Sequence, residues 1–118
     1  MTTDLLDLAG KRRAARIAAL NDALRTTFQG GKVFMTAGIN ALADDVKADV
    51  LETVRTFSQF DGANDPYGER DFGAFEQHGL TVFWKISYYD PDIRFGSEDA
   101  ADSEKTTRVL TIMRANEY

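Results

Sequence analysis

The chain has no cysteine, which excludes disulfides, thiolate zinc sites and cysteine nucleophiles and fits a reducing compartment. It has one histidine, His78. That residue stands beside Gly79 where a hairpin turn is expected, and no base or nucleophile lies at an informative spacing from it. A solvated or capping role is the expectation. No segment approaches the roughly 20 apolar residues that span a bilayer. The opening run MTTDLLDLAGKRRAARIAAL lacks the early positive charge and unbroken apolar stretch of a secretory signal, so a cytoplasmic protein without membrane contact is expected. Calcium-loop spacing is absent as well. Gly30-Gly31 precedes an expected strand, whereas a phosphate loop leads from a strand into a helix.

What is present describes a globular domain. Of the 118 residues, 43% are hydrophobic and 28% charged, and a chain of that size buries one core without staples. One domain over residues 1–118 is expected, with residues 1–10 as a flexible lead. The net charge of −5 is unevenly distributed: positions 1–32 hold six Lys/Arg against three Asp/Glu, and positions 60–104 hold three against eleven. A basic helix and an acidic, loop-rich end follow from that division. Such a protein is a poor candidate for direct nucleic-acid binding, which needs phosphate neutralisation over a broad surface.

Apolar residues at Ile17, Leu20, Leu24 and Phe28, with arginines between them, predict an amphipathic helix from Lys11 to Phe28, stopped by Gly30-Gly31. Lys32 to Ala37 has β-forming character and breaks at Gly38. After a short connection, Asp44-Asp45 offers a cap for a second helix through Val46, Val50, Val54 and Phe57. Asp61 to Gly68 is dense in turn formers and predicts a loop. Strands are expected over 71–78, 80–89 and 106–114, with a mobile acidic connection over 93–105. The fold class is therefore α+β: a two-layer α-β-α-β-β-β arrangement, with an antiparallel or mixed four-stranded sheet and both helices on one face.

Two helices cover only one face of such a sheet. The 80–89 strand places Val82, Trp84, Ile86 and Tyr88 on one side and Phe83, Lys85, Ser87 and Tyr89 on the other. An aromatic face left open usually serves a partner, another copy or a foreign protein. The alternative is that the acidic loop folds back over it.

The runs ALNDALRTTFQGGKVFMTAGINAL, VRTFSQF, NDPYGERDFGAF and WKISYYD resemble the family known as domain of unknown function 3768, over residues 16–118. The resemblance implies signature positions at Asn64, Asp65, Pro66, Gly68, Glu69, Asp71, Phe72, Gly73, Trp84, Lys85, Tyr88, Tyr89 and Asp90. It also implies an alphaproteobacterial, mobile-element or plasmid context and brings no established activity. Arg70 stands where the family pattern implies a histidine, which weakens any metal or acid–base reading built on that position.

Three functions are compatible with these residues. In the first, a non-enzymatic protein-binding module occupies a surface on a host protein, an anti-defence inhibitor of CRISPR or restriction machinery being one form. Its acidic side chains would imitate phosphate to a nucleic-acid-binding complex. The expected contact residues are Asp65, Tyr67, Glu69, Asp71, Phe83, Tyr89, Asp90, Asp92, Glu98, Asp99, Asp102 and Glu104, with no catalytic residue, metal or cofactor. In the second, an enzyme or metal-binding protein uses the 65–71 loop with Asp90, Lys85 and Tyr88, because clustered carboxylates suit hard cations and acid–base work. The third is a homodimeric accessory protein paired through the sheet face.

Overall fold

The computed structural model describes residues 4–118. The first helix, α1 (Leu5–Thr27), begins earlier than its apolar periodicity suggests, because the Asp4 side chain accepts the Leu6 amide proton at 2.8 Å and caps it. Part of the expected flexible lead, Leu5–Gly10, thus forms the opening turns of α1, and positions 1–3 lie outside the described residues. The helix closes at Phe28, which takes the left-handed conformation with φ 58°. Gly31 serves a different need: a β-carbon there would crowd the Arg108 carbonyl at 2.5 Å, so it is the close approach of two backbones that demands glycine.

Strand β1 (Lys32–Met35) leads into a one-turn helix, α2 (Ala37–Asn40), where the sequence suggested only a connection. Next comes α3 (Asp44–Thr56). Its capping position is Ala43, so Asp44 and Asp45 lie inside the first turn and act through charge at the helix N-terminus. Strands β2 (Phe72–Gln77) and β3 (Leu80–Tyr89) form a hairpin. Its turn residues His78 and Gly79 both have positive φ, 54° and 73°, the twist that a two-residue hairpin turn requires. His78 Nε2 lies 2.7 Å from Asp49 Oδ2 and ties this turn to α3. Strand β4 (Thr107–Arg114) pairs antiparallel with β3 and parallel with β1, giving a mixed sheet in the order β1-β4-β3-β2.

The fold is two-layer α+β. Its core joins Leu24 of α1, Ile39 of α2 and Val50 and Val54 of α3 to Val82, Trp84, Ile86, Leu110 and Ile112 of the sheet. All these sheet residues share one face by strand alternation. Trp84, wholly buried, meets Phe57 and Phe60 edge-on at centroid distances of 5.6 and 6.1 Å. Arg25 of α1 lies over Trp84 and donates Nη1 to the Val54 and Arg55 carbonyls at 3.0 and 3.2 Å. A buried cation thereby satisfies the end of α3.

Residues 93–105, expected to be mobile, are tied down instead. The Asp90 amide donates to the Phe95 carbonyl and the Ser97 amide to the Tyr88 carbonyl, at 2.8 and 3.1 Å. Ser97 Oγ reaches the Lys105 carbonyl, and the Thr106 hydroxyl donates to the Asp99 carbonyl at 2.8 Å. Ser97 and Thr106 supply side-chain hydrogen bonds that a reading of polarity alone overlooks.

Candidate protein-binding surfaces

The polar centre of the molecule lies where α1 crosses the ends of β3 and β4. Asn21, with no exposed surface, sits on the core stripe of α1. Its amide nitrogen donates to the Tyr88 hydroxyl at 2.8 Å and to the Glu69 carbonyl at 3.0 Å. Its carbonyl oxygen accepts from Arg108 Nε at 2.9 Å. The Tyr88 hydroxyl in turn donates to Glu69 Oε1 at 2.9 Å, and Arg108 donates a second hydrogen bond to the Ala100 carbonyl while stacking over the Tyr88 ring. This network joins helix, sheet, the 61–71 loop and the 97–102 segment. Burial, reinforced by the Glu69 and Asp71 carboxylates, raises the Tyr88 phenol well above its ordinary value. Its proton is thereby held against release.

Two carboxylates of the 61–71 loop, Asp61 and Asp65, are spent on the loop itself. Asp61 Oδ1 accepts the amides of Ala63 and Asn64 at 2.8 and 2.9 Å. Asp65 Oδ1 accepts the amide of Arg70, whose φ of 54° is left-handed, at 3.0 Å. Asp71 is half-buried, and desolvation, with Glu69 and Asp65 nearby, raises its carboxyl above the usual range. Lys85 and Tyr88 cannot converge on this loop as the enzyme reading needs, because they stand on opposite faces of β3. Among the described residues no group of three His, Asp or Glu side chains is placed to hold a metal ion. Tyr67 is 81% exposed at the loop surface.

On the far side of the sheet none of α1, α2 and α3 packs. That face carries Phe34 of β1, Phe72 of β2, Phe83 and Tyr89 of β3, and Val109, Thr111 and Met113 of β4, aligned by the pairs Phe34↔Thr111, Phe83↔Met113 and Phe72↔Lys85. Phe34 is 54% exposed. Val109 and Met113 on the same face are buried, and at its edge the Thr107 hydroxyl donates to the Pro91 carbonyl of the acidic loop at 3.4 Å, so the exposed part of the face lies around Phe34 and Tyr89. Tyr118 covers the face in part, meeting Phe83 and Phe72 edge-on at 5.8 and 6.3 Å with the Lys85 ammonium over its ring. Glu117 holds that C-terminal turn in place: its carboxylate accepts from the Thr36 hydroxyl at 2.7 Å and from the Arg114 and Gly38 amides, each at 2.9 Å. These contacts lower its pKa, the Arg114 amide most.

The acidic end begins where β3 stops. Asp90 Oδ1 accepts the Arg94 amide, and Asp102 Oδ1 caps a 3-10 turn at Ser103–Lys105 by accepting the Glu104 amide, both at 2.9 Å. Asp99 accepts the Ala101 amide and an Arg13 guanidinium hydrogen, each at 3.1 Å, and these contacts lower its pKa. Asp92 is exposed. Glu98 and Glu104 meet no donor among the described residues and line a cleft of about 460 Å³ together with Asp90, Phe95 and Lys105. Of the residues singled out in the sequence, Glu69 and Asp71 are thus gathered near Tyr88. Asp90, Glu98 and Glu104 share the cleft, and Phe83 and Tyr89 share the open face.

Sequence reasoning passed over Asn21, Arg25, Arg108 and Glu117. For Asn21 the signal was available, since it lies four residues after Ile17 and three before Leu24, inside the apolar stripe.

No helix among the described residues is long and apolar enough to cross a membrane. A family model described as protein of unknown function (DUF3768) matches residues 35–117, from the end of β1 through the C-terminal turn. No curated protein and no solved structure matches the chain.

Proposed function

The chain belongs to the DUF3768 family, and we propose that it is a small non-enzymatic protein-binding module whose contact surface is the open face of its sheet. The observation that carries this reading is the one-sided core. Leu24, Ile39, Val50 and Val54 all pack against Val82, Trp84, Ile86, Leu110 and Ile112, while Phe34 and Tyr89 remain exposed on the reverse face. Exposed aromatics around a rigid sheet are the anchors that dominate binding energy in protein interfaces.

The partner's chemistry follows from what borders that face. Tyr89 carries it directly into Asp90, Asp92 and the acidic end. The fitting partner is therefore a protein with an apolar patch flanked by arginine and lysine, such as one that grips nucleic acid. Acidic side chains standing in for phosphate would steer the encounter and set its salt dependence. An anti-defence inhibitor carried by mobile elements is one protein of this kind.

The test compares tagged wild type with Phe34→Asp and Tyr89→Asp in capture from nuclease-treated host lysate. A stoichiometric partner lost from both variants, whose melting temperatures stay at the wild-type value, supports the reading. A partner retained by both overturns it.

A further inference from the structure

The part of α1 that the core does not use has no role in the reading above. From Leu5 to Arg13 every residue of this helix is exposed, Leu5 and Leu6 at 81% and 80%. Burial begins only at Ile17 and Ala18. Beyond the Arg13–Asp99 contact, the Leu5–Arg12 part of this arm therefore projects about 12 Å from the domain at the usual helical rise. A helical segment that buries no face draws little stability from its own hydrogen bonds in water and calls for a partner.

The arm's chemistry is specific. It presents Leu5, Leu6 and Leu8, then Lys11, Arg12, Arg13 and Arg16. Among the described residues only Arg13 of these cations has an ion-pair partner, Asp99 at 3.1 Å, and that contact marks where the arm leaves the domain. The same end of the molecule holds the cleft of about 460 Å³, with Glu98 and Glu104 free of donors and Asp90 beside them. Ile93 and Phe95, 40% and 71% exposed, stand next to it. Three unpaired cations with leucines thus lie at the same end of the molecule as an acidic cleft with exposed apolar side chains. A straight helix cannot bend back into a cleft beside its own exit. The same cleft on a second copy is open to it.

We propose that two copies of this chain exchange arms about a two-fold axis near the Arg13–Asp99 pair, so that Leu5–Arg16 of each lies along the acidic cleft of the other. One symmetric arrangement satisfies both surfaces twice, as an isologous interface must. A polyanion such as DNA or an anionic lipid surface could also meet the four cations, but the net charge of −5 and the acidic end beside the arm oppose it. The second copy carries the same net charge but also a basic arm, so each acidic cleft is matched by the cations of the other copy.

Sedimentation equilibrium of the full chain at low and high salt tests this. The expected result is a dimer at low salt that dissociates as salt rises. Arg12→Glu/Arg16→Glu and Glu98→Lys/Glu104→Lys should each weaken it about tenfold or more, since like charges then face one another. Mixing the two variants should restore a heterodimer, because the reversed arm of one then meets the reversed cleft of the other, and the native arm meets the native cleft. All four positions are exposed, and unchanged melting curves verify folding.

A wild type that stays monomeric overturns the proposal, and so does a dimer untouched by both double variants or a mixture that stays monomeric. A monomeric wild type that binds duplex DNA or anionic vesicles would assign the arm to a polyanion instead. The open-face reading is tested separately: Phe34→Asp should leave this dimer intact, and a dimer lost only in Phe34→Asp overturns the arm exchange.

Discussion

Gly73 lies against the indole of Trp84, its cross-strand partner, so closely that a β-carbon on Gly73 would overlap the indole nitrogen. The tryptophan fills the space that the glycine leaves open on β2. Trp84 is wholly buried and cannot retreat. Gly73→Ala, a change that would ordinarily favour a strand, is expected to cost about 1–3 kcal/mol by overpacking. Chemical denaturation would measure it, and a neutral or stabilising outcome would contradict the packing described.

Asn21 links Tyr88, the Glu69 carbonyl and Arg108. Replacing it with leucine, which has the same branching but no polar atom, leaves the Nε proton of a buried guanidinium without an acceptor. A loss of about 2–3 kcal/mol is expected, the range for hydrogen bonds to charged groups. Tyr88→Phe removes only a hydroxyl and should cost about 1 kcal/mol. Equal losses in the two variants would show that Asn21 is not the centre of the network.

Two carboxyl groups should act on stability with opposite sign as pH changes. Glu117 has a pKa lowered by the Arg114 amide, the Thr36 hydroxyl and the Gly38 amide. Its contribution is full above the ordinary glutamate value and is lost as pH falls through the lowered one. Glu117→Gln should therefore melt lower than wild type at neutral pH, with the gap closing in acid. Asp71 has a pKa raised by burial, so its ionised form costs stability once pH exceeds its folded value. Asp71→Asn should melt higher than wild type at neutral pH and converge with it in acid. Thermal melts across the acid range would reveal both patterns.

Because Asp61 and Asp65 accept hydrogen bonds from their own loop, millimolar Mg²⁺ should leave the melting temperature unchanged. A site that bound it would raise the temperature by mass action.

Much of this fold is legible in the sequence. The alternation from Leu80 to Tyr89, bounded by Gly79 and by Asp90-Pro91, delimits β3 to the residue. The same alternation separates Trp84 from Phe83 and so identifies the open face. Helix α1 was harder to read. Its stripe was expected through Leu20, yet Asn21 and Arg25 take the buried positions, because the polar network and the end of α3 require side chains that donate hydrogen bonds. Helix α2 escaped notice because one turn shows no period. The 93–105 segment reads as mobile because its order comes from individual backbone and side-chain hydrogen bonds that leave no periodic pattern. The Glu117 latch joins residues about 80 positions apart, a pairing that no local pattern encodes.

The central claim is that the open sheet face meets a partner protein. The most direct measurement is photo-crosslinking in host cells, with a benzophenone amino acid placed at Phe34, at Tyr89 and, on the helical side, at Asp49. Adducts to one foreign protein from positions 34 and 89, and none from 49, are the expected result. No adduct from 34 or 89, or equal labelling from 49, would contradict the account.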